Sequence, residues 1–89
     1  MIKEFALHQN YPNPFNPRTD IRLQLADYSH VVLKVFNILG QEIVTLLNEV
    51  KEPGEYTVEW DASEFSSGVY FYRMRAGNFT DVKKMLLAK

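Results

Sequence analysis

The sequence predicts an all-β protein built as two packed antiparallel sheets, and three observations carry that reading. Apolar and polar residues alternate with period two through successive short runs, as half-buried strands require. Turn chemistry separates the runs: a proline-rich stretch at 11–17, Gly40, the dipeptide Pro53-Gly54 and the dipeptide Gly77-Asn78. The runs are short and closely spaced, and the chain of 89 residues has room for one small domain with a single two-layer core.

Residues 1–4 are polar and without periodicity, which predicts a linker remnant ahead of a domain at 5–89. Phe5 and Leu7 alternate with Ala6 and His8, a short first strand that ends near Tyr11. Residues 11–17 read YPNPFNP. Proline lacks the ladder donor and holds its predecessor extended, so this piece is neither a central strand nor a helix. It predicts a stiff corner shaped by Pro12 and Pro14, with Phe15 plugging the end of the core and Asn13 and Asn16 bonding local backbone.

Ile21, Leu23 and Leu25 alternate with Arg22 and Gln24 in a second strand, and residues 27–30 make a turn. Val31, Leu33 and Val35 face one way, while Val32, Lys34 and Phe36 face the other. Residues 37–40 form a turn in which Gly40 is free to take positive φ. Residues 41–50 are ambiguous, because Ile43, Leu46, Leu47 and Val50 fit helical spacing as well as a bulged strand. Strand neighbours, Thr45, two valines and a missing helix cap at Gly40 favour the bulged strand.

Tyr56, Val58 and Trp60 alternate with Thr57 and Glu59 in the cleanest strand of the chain. A polar loop at 61–67 follows, with Phe65 folded back over the core. Gly68 opens a terminal hairpin whose first strand turns Tyr70, Tyr72 and Met74 inward and Val69, Phe71, Arg73 and Arg75 outward. The second strand has two registers. A two- or four-residue loop buries Met85 and Leu87, and a three-residue loop buries Val82, Lys84 and Leu86. The former avoids an ammonium deep in the core. Seven strands in this order, with Tyr70 at a tyrosine-corner position, predict an immunoglobulin-like seven-stranded antiparallel β-sandwich.

Composition narrows function. The chain is 46% hydrophobic and 13% aromatic, a globular composition. It contains no run of the roughly 20 apolar residues needed to span a bilayer, and no amino-terminal secretion signal. Cysteine is absent, which excludes disulfides, thiolate metal sites and cysteine nucleophiles. A net charge of -1 argues against general nucleic-acid binding.

His8 and His30 fall on an edge strand and a turn, outside any triad spacing, and Asp20, Asp27 and Asp61 are too scattered for a calcium loop. No catalytic residue, metal ligand or cofactor is expected. Residues 42–64 carry seven acids against Lys51, and residues 73–89 carry five bases against Asp81. Two readings fit: complementary solvated charges on adjacent strands, or a basic recognition face.

Several stretches resemble one family, the type A C-terminal sorting domains of the type IX secretion system. They are Phe5 to Pro17 with Thr19 and Ile21, residues 35–43 (VFNILGQEI), residues 54–61 (GEYTVEWD), and Ser67 to Arg73 continuing through Lys84, Met85 and Lys89. Asn37 and Gln41 stand where the family usually has aspartate and arginine, which removes one ion pair. A weaker resemblance extends to the immunoglobulin-like domain of flagellar hook-capping proteins.

The resemblance implies a non-enzymatic address on an upstream cargo, carried through the periplasm to the outer-membrane type IX machinery. The cargo would then be released or attached to the surface by a sortase-like protease that cuts upstream of Phe5. The alternative is an accessory carbohydrate- or protein-binding module of a multidomain secreted protein. If the third, sixth and seventh strands share a sheet, Lys34, Phe36, Phe71, Arg73, Arg75 and Lys84 project from its outer face. Together with Lys89 they form the expected translocon-recognition set, with the edge of the final strand open for pairing. Pro12, Pro14, Phe15, Gly40, Trp60, Gly68 and Tyr70 are the expected structural positions.

Overall fold

A computed structural model of the chain describes residues 4–89. It has seven strands: β1 (Ala6–Leu7), β2 (Arg18–Leu25), β3 (Ser29–Phe36), β4 (Glu42–Lys51), β5 (Gly54–Asp61), β6 (Gly68–Ala76) and β7 (Phe79–Leu87). Two antiparallel sheets, ordered β1-β2-β5 and β4-β3-β6-β7, make a sandwich of immunoglobulin-like kind. Glu4 is exposed and precedes β1, and the remainder of the expected linker, 1–3, lies outside the described residues.

The core lies between the sheets. Ile21, Leu23 and Leu25 from β2 meet Val31, Leu33 and Val35 from β3 and Tyr72 and Met74 from β6, all fully buried. Each fully buried large side chain contributes about 1.5–3 kcal/mol by leaving water. One end is closed by aromatics. Trp60 sits 5.7 Å from Phe15, 5.5 Å from Phe65 and 5.5 Å from Tyr70, ring centre to ring centre. Tyr70 Oη donates to the Ser66 carbonyl at 2.6 Å, four residues upstream, which is tyrosine-corner geometry.

β4 is the ambiguous segment, and it is a strand with two irregularities. Its register against β3 slips between Leu33 and Lys34 and again between Val35 and Phe36. Each slip places one extra residue on β4, so Ile43 with Val44 and Leu46 with Leu47 become half-buried neighbours. That doubling reproduces helical spacing within a strand. In the preceding turn Gly40 takes φ 80°. Asn37 Oδ1 accepts from the Leu39 and Gln41 amides, and Asn37 Nδ2 donates to Gln41 Oε1 at 2.7 Å. A neutral hydrogen bond thus joins the positions where an ion pair was missing.

The terminal hairpin has a two-residue loop, with Ala76 opposite Phe79 and positive φ confined to Gly77, as in a type II′ turn. Met85 and Leu87 are buried as this register requires. It also turns Asp81 and Lys83 toward the inner face, opposite Met74 and Tyr72. They pair at 3.8 Å at the open margin of the sandwich, with side chains 40% and 35% exposed.

Residues 9–15 run as a strap along the outer edge of β7. Gln9 Nε2 donates to the Lys84 carbonyl at 2.7 Å, and Asn13 Oδ1 accepts from the Leu86 amide at 3.0 Å. Phe15 exchanges two backbone bonds with Leu86 and Ala88, each 3.0 Å. Asn13 therefore satisfies a backbone donor 73 residues away instead of local backbone. The edge amide of β7 is the acceptor-poor group within its reach.

Beneath the strap lies a buried polar cluster. Tyr72 Oη accepts from the Asn10 amide and donates to the His8 carbonyl, both at 2.7 Å. Asn10 Nδ2 donates to Thr19 Oγ1 at 2.9 Å, and Thr19 Oγ1 donates to the Pro12 carbonyl at 2.9 Å. Burial pushes the Tyr72 phenol up to about 12.

Candidate recognition face

β3 joins β6 and β6 joins β7 in one sheet, and the registers determine which outward side chains are neighbours. Lys34 lies opposite Arg73, Phe36 opposite Phe71, and Val32 opposite Arg75. Phe71 in turn lies opposite Lys84. Lys34, Phe36, Phe71, Arg73, Arg75 and Lys84 therefore occupy one continuous outer face, because paired residues point to the same side of a sheet.

The two aromatics are half-buried on this face, and the Arg73 guanidinium lies 4.8 Å from the centre of the Phe36 ring. The cation shields the ring and the ring holds the cation in place. Arg73 Nε is buried without a hydrogen-bond partner. Lys34 Nζ bonds Glu42 Oε1 at 2.9 Å across to β4. That bond, with the Lys34 charge, a Thr45 hydroxyl and the field of Arg73, holds the Glu42 carboxyl below its usual range.

Among the described residues, Glu42 is the one carboxylate that the registers place on this outer face. Arg73, Arg75 and Lys84 have no ion-pair partner among the described residues. An open groove of about 380 Å³ lies on the outer face over β3 and β6, lined by His30, Val32, Lys34, Arg73, Arg75 and Gly77.

The opposite outer face has the other sign. Asp20, Glu55, Glu59 and Asp61 project from β2 and β5 with Arg18 and Arg22, and Asp20 sits directly opposite Glu59. Acids of β5 and bases of β6 and β7 thus belong to different sheets. Complementary charge on adjacent strands does not account for the two blocks. Only Lys34 with Glu42 and Arg18 with Asp61, at 3.4 Å, pair across neighbouring strands among the described residues.

Lys89 does not join the basic face. Its Nζ donates to the Ser63 carbonyl at 2.6 Å and its amide to Ser67 Oγ at 3.1 Å, so it is tied to the loop before β6. The final strand is not open for pairing along its length either. From Lys84 to Ala88 the strap occupies its edge, and nearer the turn Asp81 Oδ1 accepts from the Val82 amide at 2.9 Å. A strand added along 84–88 would have to displace residues 9–15.

Pro12 and Pro14 are exposed on the strap, Phe15 is buried beneath it, and Gly68 begins β6 opposite Leu87. The Asn10, Thr19 and Tyr72 cluster was missed by periodicity, which records burial but not hydrogen bonding. A phenol in the middle of an inward-facing row was the available signal, since a buried tyrosine hydroxyl needs a partner.

The described residues contain no group of three or more His, Asp or Glu side chains placed to hold a metal ion, and no helix long and apolar enough to cross a membrane. A family model described as the secretion system C-terminal sorting domain matches residues 9–88. No curated protein matches the chain.

Proposed function

Because the chain belongs to the secretion system C-terminal sorting domains, a family of type IX sorting signals and not of catalysts, we propose that its basic-aromatic face is what the export machinery reads. Such a domain marks a protein for export to the cell surface or the extracellular space. In the proposed scheme the chain carries a fused upstream cargo to the outer-membrane translocon. Release or attachment follows, with a sortase-like surface protease cutting ahead of residue 5.

One observation carries the proposal: Lys34, Phe36, Phe71, Arg73, Arg75 and Lys84 form one outward surface with a single carboxylate on it among the described residues. Aromatic and arginine side chains held together at a surface are typical anchors of protein interfaces. Lys89, bonded to the loop at 63–67, drops out of the recognition set.

The test is to fuse the chain behind a periplasmic signal and a fluorescent cargo in a bacterium with type IX secretion. Cargo should reach the surface or medium with the native chain. It should stay in the periplasm with the double variant Phe71→Ser, Arg73→Glu, folding of which is checked by circular dichroism and melting. Normal export by a folded double variant would refute the role of the face. Deleting residues 83–89 is a poorer test, because it removes Met85 and Leu87 from the core and the partner of the strap.

A further inference from the structure

We propose that the groove over β3 and β6 binds an extended acidic segment of a partner protein, one with carboxylates on alternate residues. The inference deepens the recognition-face reading and rests on it for biological meaning, though the binding can be measured without export.

The groove is lined by Lys34, Arg73, Arg75 and His30 around Val32. Arg73 and Arg75 have no carboxylate partner among the described residues, and the one acid on that face, Glu42, bonds Lys34 from the β4 side. Three cations, Lys34, Arg73 and Arg75, face one acid there, so an anion seated beside the two arginines relieves repulsion as well as gaining attraction. Arg73 is held in place over Phe36, 4.8 Å from the ring centre, so little side-chain freedom is left to lose on binding.

Spacing selects the ligand. Arg73 and Arg75 stand two residues apart on one strand, roughly 7 Å at the rise of an extended chain. Carboxylates on alternate residues of an extended peptide repeat at the same interval and face the same way. A lone phosphate lacks that reach, and the flanking acids of β5 lie on the other side of the molecule. The groove's volume of about 380 Å³ accommodates a pair of acidic side chains over the Val32 floor.

The test titrates the purified chain with a fluorescent peptide of alternating glutamate and serine. The same peptide with its glutamates grouped in one block, inorganic phosphate and phosphatidylglycerol vesicles serve as comparison ligands. The alternating peptide should bind saturably, resist displacement by phosphate, and lose at least about tenfold in affinity on Arg75→Glu or Arg73→Gln. Arg75 is exposed, so Arg75→Glu should melt at the native temperature and keeps the test free of folding effects.

Equal binding to the blocked peptide, preference for phosphate or vesicles, or binding indifferent to both variants would overturn the inference. Export of a fused cargo by Arg75→Glu is scored separately. If peptide binding is lost and export persists, the acidic-segment site stands and the recognition-face reading falls.

Discussion

Tyr72 shows how one hydroxyl ties the two halves of the chain. It is fully buried, and its two 2.7 Å bonds end on His8 and Asn10. Tyr72→Phe keeps the ring and strands the buried Asn10 amide and the half-buried His8 carbonyl, so it should cost about 1–3 kcal/mol in urea denaturation. The phenol also gives an alkaline signature. Its folded value of about 12 lies above the ordinary 10, so its stabilising share is complete below about pH 10 and is lost as pH rises through about 12. Titrating stability from pH 9 to 12 should show a decline that is shallower in Tyr72→Phe. Trp60, 3% exposed among Phe15, Phe65 and Tyr70, should cost about 3–5 kcal/mol as Trp60→Ala, and a melting temperature unchanged by it would contradict the aromatic closure of the core. The tryptophan was legible from alternation alone. The hydrogen bonds of Tyr72 were not, because their partners lie more than 60 residues away and carry no periodic mark.

Among the elements, β7 depends most on others. Its edge bonds come from the strap, and Asn13→Ala removes one of them. The Leu86 amide should then exchange hydrogen faster while amides of β6 keep their protection, with a loss of about 0.5–1.5 kcal/mol in overall stability. Unchanged exchange at Leu86 would show that the Asn13 bond does not protect the edge. The inward pair Asp81 and Lys83 blunts the rest of the strand against pairing with other chains. The strands themselves were readable because inward and outward residues alternate. β4 was readable only as an ambiguity, since two bulges overlay a period near that of a helix on an extended backbone. The strap was readable as a proline-rich corner, but its target was not. Proline limits what a segment can be and does not say which edge it will cover.

At the scale of the molecule, charge is sorted by face more than by total. A net charge of -1 hides a basic outer sheet and an acidic one. At low salt near pH 7 the chain should be retained on both cation- and anion-exchange media, and Arg75→Glu should weaken only the former. Retention of the native chain on only one medium, or weakening on both by Arg75→Glu, would show that the faces do not act as separate patches. The basic cluster was legible once three strands were assigned to one sheet, whereas Lys89 lies past the end of β7 and its bonds to Ser63 and Ser67 carry no periodic mark. The strap has a further consequence, for the timing of synthesis. Bonds between residues 9–15 and 84–88 cannot form until nearly the whole domain has left the ribosome. A domain closed by its own last strand remains unfinished in any prematurely terminated product. A product that stops short of residue 84 lacks both the partner of the strap and the inward Met85 and Leu87, so its sandwich stays open along that edge.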